Sequence, residues 1–148
     1  MAKLDHAEAR LIYTDLLERI SDCYVLKDFD AFSQLIHLPH HITTPSDRFS
    51  IRTPEQLRIV FDINCETLVT TDGQTLKREV LDARFKGQDR IDGSHRTILP
   101  KEVQKNHRPY PSKSVLMWIG MRWQICASDY HVDANSPIHT VFREALKT

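Results

Sequence analysis

The chain has no excess of charge of either sign, no long apolar run and no cysteine pair, and each absence removes a class of function. Its 148 residues carry 20 basic and 20 acidic side chains, a formal net charge of zero. A nucleic-acid binder shows a basic excess or a clustered basic stripe, and an anionic membrane surface calls for similar clustering; neither is visible. No apolar stretch approaches the roughly 20 residues of a membrane span. The opening Met-Ala-Lys-Leu-Asp-His-Ala-Glu-Ala-Arg is charged and lacks the apolar centre of a secretory signal. Cys23, Cys65 and Cys126 are widely spaced and embedded in periodic segments, so a cytoplasmic protein with buried free thiols is expected and a structural zinc site is not. Nucleic acid, membrane and cofactor are thus not predicted as partners. With no internal repeat, linker or low-complexity tract, the chain reads as one domain over residues 1–148.

What is present centres on Ser112 to Val132. Two runs rich in Val, Ile, Trp and Tyr flank Gly120-Met121, a β-hairpin signal with glycine placed for a type II′ turn. A two-residue loop sets Ile119 against Arg122, Trp118 against Trp123, Leu116 against Ile125 and Ser114 against Ala127. Side chains alternate along a strand. One face therefore carries Leu116, Trp118, Trp123, Ile125 and Ala127, and continues into Asp129 and His131. The other face carries Val115, Met117, Ile119 and Cys126, with Gln124 among them. An apolar outer face in a soluble chain predicts a covered surface, and a homodimer through it.

Ahead of the hairpin, Asp5-His6-Ala7-Glu8 opens a helix to about Tyr24 with an apolar stripe of Tyr13, Leu16, Leu17, Ile20 and Tyr24. Asp28 or Asp30 caps a second helix carrying Phe29, Phe32, Leu35 and Ile36, ended by Pro39. Residues 40–44 and 49–52 form a short hairpin around Pro45-Ser46-Asp47. Thr53-Pro54-Glu55-Gln56 caps a third helix to about Val69, with Leu57, Val60, Phe61, Asn64 and Leu68 on one face. The period then changes to two. Residues 75–86 and 94–103 are strands, with Leu81, Ala83 and Phe85 on one side, Gly87 a bulge and Asp92-Gly93 a hairpin turn. Residues 104–111 form a loop. Ser136-Pro137 starts a last helix with Ile138, Val141, Phe142, Ala145 and Leu146 on its apolar face. This order predicts an α+β domain, a curved antiparallel sheet with three helices on its concave side and an extra C-terminal helix over residues 137–146.

The element order, with Lys27-Asp28-Phe29-Asp30 after helix one, Thr53-Pro54-Glu55 opening helix three and the Gly-x-x-Trp-x-Ile run from Gly120 to Ile125, resembles the nuclear transport factor two-like superfamily and, within it, the SnoaL-like branch. The resemblance covers roughly residues 6–132. It implies a cone whose open end admits a small apolar molecule, and dimers through the outer sheet face. Its members span ketosteroid isomerases, dehydratases, polyketide cyclases and non-catalytic oxygenase subunits, so the fold leaves function open. Carried across residue by residue, the ketosteroid isomerase tyrosine falls near Ile20, its catalytic aspartate on Thr44 before Pro45 and its second aspartate near Val115. None is the required residue type.

The candidate chemistry is then Asp129 with His131, two apart on one strand face. A carboxylate against an apolar wall has a raised pKa and serves as a general acid or base, with the imidazole orienting it or taking the proton. The bland alternative is a strand end in water. Tyr13 and Tyr24 lie on the helix-one stripe, and a hydroxyl there polarises a ligand carbonyl or is simply a satisfied core group. His40 and His41 face opposite sides of a strand, one toward the pocket, assigned to His41. Ile20, Tyr24, Trp118 and Trp123 complete the expected lining. Two functions follow: a cofactor-independent isomerase, dehydratase or cyclase, or a non-catalytic ligand-binding module or partner subunit.

Overall fold

A computed structural model describes residues 5–103, 109–132 and 136–146, except the side chains of residues 137 and 138. Ten elements follow in order: α1 (His6–Leu26), α2 (Phe29–Leu35), β1 (Ile36–Thr43), β2 (Arg48–Ile51), α3 (Pro54–Thr67), β3 (Lys77–Phe85), β4 (Arg90–Ile98), β5 (Tyr110–Ile119), β6 (Arg122–Tyr130) and α4 (Pro137–Ala145). The fold is α+β. One six-stranded sheet has the order β2-β1-β6-β5-β4-β3, antiparallel except where β1 runs parallel to β6.

The caps explain where the helices start. Asp5 accepts from the amide of Ala7, Asp28 from that of Ala31, and Thr53 and Gln56 exchange bonds in a complete capping box. Each side-chain cap contributes about 1 kcal/mol. α1 ends where Lys27 takes a left-handed conformation (φ 55°) and its amide turns back to Cys23 and Tyr24. The buried stripe of α1, from Ala9 through Tyr13, Leu16, Leu17, Ile20 and Tyr24, packs on the sheet, and α3 presents Leu57, Val60, Phe61 and Asn64 to the same interior. Arg10 fastens α1 to the sheet edge by donating to the carbonyls of Val80 and Leu81.

Several expectations shift. α2 is shorter than predicted: Ile36 pairs with Ile125, and Pro39 lies within β1. The strand after Gly87 begins at Arg90, not Ser94, and ends at Ile98, not Val103. Gly87 (φ 83°) takes the turn, and Gly93 sits inside β4 opposite Ala83, with the ring of Tyr13 packed on it. A bulge at Leu81 separates it from Ala83, so Leu81 is exposed while Ala83 is buried. Gly120 and Met121 both have positive φ (59° and 67°), which makes the hairpin turn type I′ rather than II′.

The register of the β5–β6 hairpin carries the largest correction. Ile119–Arg122, Trp118–Trp123 and Leu116–Ile125 pair as expected. Beyond Ile125 the ladder slips: Val115 pairs with Ala127 and Ser114 with Ser128, leaving Cys126 as an extra residue in β6. One inserted residue exchanges the faces. Ser128 therefore points inward, and Asp129 lies opposite exposed Lys113 and Thr43.

α4 forms over residues 137–145 and packs on α3 and the β1–β2 hairpin. Val141 and Phe142 are buried; Phe142 stacks on Tyr130 and meets Phe49. His139, fully buried, lies 2.8 Å from Asp47 through Nε2 and 3.2 Å from Arg143 through Nδ1. The side chain of Ile138 and the loop over residues 104–108 lie outside the described residues. No described helix is long and apolar enough to cross a membrane.

Candidate functional site

Between α1, α3 and the inner face of the sheet lies a cavity of about 50 Å³, to whose lining Phe142 of α4 also contributes. Leu17 and Ile20 of α1 and Leu57 and Val60 of α3 form one aliphatic part of its wall, and Ile42, Ile51 and Ile125 of the sheet form another. Polar groups stand among these isoleucines on the sheet side. His95 and Thr97 come from β4, Tyr110 and Ser114 from β5, Ser128 and Tyr130 from β6, and His40 from β1. Arg78 and Asn64 join them. The lining is thus mixed, and more polar than the apolar pocket expected from the sequence.

Three local arrangements give this wall its chemistry. Tyr13, fully buried behind it, has its hydroxyl 2.6 Å from Nδ1 of His95. A phenol is a better donor than a neutral imidazole, so the tyrosine donates, Nδ1 accepts, and the imidazole proton resides on Nε2. That Nε2 is buried and has no hydrogen-bond partner among the described residues. Burial, with the nearby charge of Arg78, lowers the pKa of His95 to about 3. Burial likewise raises the Tyr13 hydroxyl well above its ordinary value. The pair is a neutral unit near pH 7.

His40 is the second neutral imidazole. Its Nδ1–H donates to the carbonyl of Ile125 (3.3 Å), so Nε2 accepts from the hydroxyl of Ser128 (3.2 Å). Burial lowers its pKa to about 4. On the α1–α3 side, the side-chain amide of Asn64 donates to the Tyr24 hydroxyl at 3.2 Å, while its carbonyl Oδ1 has no partner among the described residues. Tyr24 packs against Phe32 and Phe61, which fixes its ring.

Of the residues singled out from sequence, Tyr24 and Ile20 line this cavity. Tyr13 stands one layer back, touching His95 rather than the cavity. The others fall elsewhere. Asp129 and His131 are partly exposed and 3.7 Å apart; the Cys126 bulge turns them away from the cavity wall. Ala127 moves outward with them, opposite Val115. His40, not His41, is the inward histidine of β1; His41 is exposed and bonds Ser50 across the β1–β2 hairpin. Trp118 and Trp123 pack edge to face at 5.7 Å in a separate open groove of about 590 Å³, beside Arg19, Arg122 and Leu26. They lie beside Ala31, Gln34 and Leu35 of α2 and do not line the cavity.

Sequence reading missed His95, Arg78, Ser114 and Ser128. Starting β4 at Arg90 would have put Ile91, Gly93, His95 and Thr97 on one face by alternation. Asn64 already carried a signal, being the one amide on the apolar stripe of α3.

Comparison with known proteins agrees on the fold. No family model matches the chain, and no curated protein matches it. Solved structures do. A protein of unknown function from Shewanella oneidensis, described as NTF-2 like, superposes with a TM-score of 0.64 at 14% identity, over 81% of this chain and 96% of its own. A protein of unknown function from Mycobacterium tuberculosis gives 0.64 at 11% identity, covering 93% and 88%. A nuclear transport factor 2-like superfamily protein from Salmonella enterica gives 0.58 at 13% identity, covering 87% and 95%. The chain has the nuclear transport factor 2-like fold, and at these identities the likeness speaks to fold alone.

Proposed function

We propose that the protein binds a small molecule in the cavity between α1, α3 and the sheet, and that it acts as a binding module. The observation that carries this reading is a pair of buried polar atoms without a partner among the described residues, His95 Nε2 on the sheet side of the cavity and Asn64 Oδ1 on the α3 side. Each orphan of this kind costs about 1–3 kcal/mol, and native folds keep few of them. A ligand that accepts from His95 and donates to Asn64 removes both costs. A volume of about 50 Å³ favours a compact ligand of a few non-hydrogen atoms.

Binding is favoured over isomerase, dehydratase or cyclase chemistry by the same lining. Among the described residues no Asp or Glu lines the cavity, and the imidazoles of His95 and His40, at about 3 and 4, are weak bases at neutral pH. The His95 N–H is able to polarise a carbonyl, but no strong base stands beside it. The same reading places the chain in the cytoplasm, in keeping with three unpaired thiols, and in a homodimer through the outer face around Met117.

The test is native mass spectrometry of the purified protein, followed by an NMR screen of compact fragments. A retained small molecule, or fragments that shift the Asn64 side-chain amide and weaken on Asn64→Leu, support the reading. An empty protein with no fragment shifting cavity resonances overturns it.

A further inference from the structure

Arg78 is the only Arg, Lys, Asp or Glu among the described residues lining the cavity. It reaches across from β3 to α1, where its Nη1 donates to the carbonyl of Leu17 (3.1 Å) and to the hydroxyl of Ser21 (2.8 Å). Both acceptors are neutral. Among the described residues no carboxylate lies within ion-pair distance of this guanidinium; Glu18 and Asp22 line a surface cleft that Arg78 also borders. A guanidinium has five N–H donors, and these two bonds leave capacity to spare. Its charge is felt inside: it opposes protonation of His95 and offsets, in part, the rise that burial imposes on the Tyr13 and Tyr24 hydroxyls.

The wall thus combines one unneutralised positive charge, one orphan N–H on a 1% exposed imidazole, and several hydroxyls able to donate. A cation would be repelled there. A neutral ligand would leave the charge uncompensated in a partly desolvated site. The geometry points to a compact carboxylate as the ligand class, held by Arg78 and the Nε2–H of His95, with a hydroxyl on the ligand donating to Asn64 Oδ1. This inference rests on the binding reading above. A carboxylate matches the planar fork of a guanidinium and forms charge-assisted bonds of about twice the ordinary strength.

The probe is glycolate, with glycolamide as its neutral counterpart, titrated by two-dimensional NMR into the full chain and into Arg78→Gln and Arg78→Lys. Glycolate should shift cavity resonances and bind about tenfold tighter than glycolamide, a preference that Arg78→Gln abolishes and Arg78→Lys partly keeps. Glycolamide binding the cavity as tightly as glycolate would overturn the anion and leave the binding reading standing. Glycolate shifting only surface resonances, with glycolamide in the cavity, would do the same. If neither ligand perturbs the cavity and the fragment screen is also silent, both readings fall. Should Arg78→Gln not fold, the comparison of the two ligands in the unaltered chain still decides.

Discussion

The ring of Tyr13 lies against the α-carbon of Gly93, so close that a β-carbon at position 93 would overlap ring atoms Cε2 and Cζ. The glycine therefore sets the depth of Tyr13, and through the 2.6 Å hydroxyl contact it sets the tilt of His95. Both groups are buried and rigidly packed, so the strain cannot be relieved by a swinging side chain. Gly93→Ala should destabilise the protein by about 1–3 kcal/mol, the usual cost of overpacking. Urea unfolding followed by tryptophan fluorescence measures it, and an unchanged midpoint would show that Tyr13 has room to move.

Two buried neutral imidazoles make stability depend on pH with a definite sign. His40 and His95 titrate near 6.5 when unfolded and near 4 and 3 when folded. Below pH 6.5 the unfolded chain binds protons that the folded chain refuses, so their contribution is fully present above that pH and lost as pH falls. Each adds a slope approaching about 1.4 kcal/mol per pH unit between pH 6 and its folded value. Denaturant titrations at pH 7, 6, 5 and 4.5 check this. His40→Gln should reduce the proton uptake on unfolding by about one at pH 5; an unaltered slope would place the uptake elsewhere.

Much of this architecture was legible in the chain, and the illegible part has a physical cause. Helix starts are written locally: Asp5, Asp28 and the Thr53–Gln56 box each satisfy amides within three residues. The Trp118–Trp123 and Leu116–Ile125 pairs follow from a two-residue turn. The bulge at Cys126 follows from nothing local, since Cys126-Ala127 continues the alternation as well as any small pair. It coincides with an irregularity in the pairing of β6 to its parallel neighbour β1, between Ile36 and His41, a long-range relation that the local sequence does not carry. Gly93 was misread because Asp-Gly is a turn signal, and only the approach of a residue 80 positions earlier makes a glycine necessary there. The cavity's polar groups come from seven elements, α1, α3, β1, β3, β4, β5 and β6, and topology alone gathers them.

The outer face of the hairpin gives a prediction about assembly. Val115 and Ile119 are half-buried and Met117 is 37% exposed, with Gln124 opposite Met117. An apolar stripe on an open sheet face is favourably covered by its own copy. Multi-angle light scattering at micromolar concentration should give a dimer, and Met117→Lys should convert it to a monomer with the fold retained by circular dichroism. A dimer that survives Met117→Lys, or a monomeric unaltered chain, removes this interface.

α4 should matter for stability and for access to the cavity. It buries Val141, Phe142 and His139, and Phe142 is part of the cavity wall. Truncation after Val132 would uncover Phe49 and Tyr130 together with that wall. Loss of two buried apolar side chains predicts a destabilisation of about 3–6 kcal/mol, seen as a lower melting temperature with new binding of an apolar dye. An unshifted melting temperature would mean that the helix docks without contributing.

The Cys126 bulge predicts opposite outcomes for two adjacent residues. Asp129 faces the side of Lys113 and Thr43, and its contact with His131 is a 3.7 Å surface pair with both side chains about half exposed. Such pairs contribute at most about 1 kcal/mol, so Asp129→Asn should change stability by no more than about 0.5 kcal/mol and leave ligand binding in the cavity intact. Ser128 points the other way and supplies the hydroxyl that His40 Nε2 accepts. Ser128→Ala removes that donor from an imidazole buried to 5% exposure, whose other nitrogen is committed to Ile125. The stranded acceptor should cost about 1–3 kcal/mol. Urea unfolding of the two variants side by side separates them. If Asp129→Asn proved the more damaging change, or if it alone weakened binding in the cavity, the strand would have to lie in the unbulged register, and the inward wall would be built from Ala127, Asp129 and His131 instead.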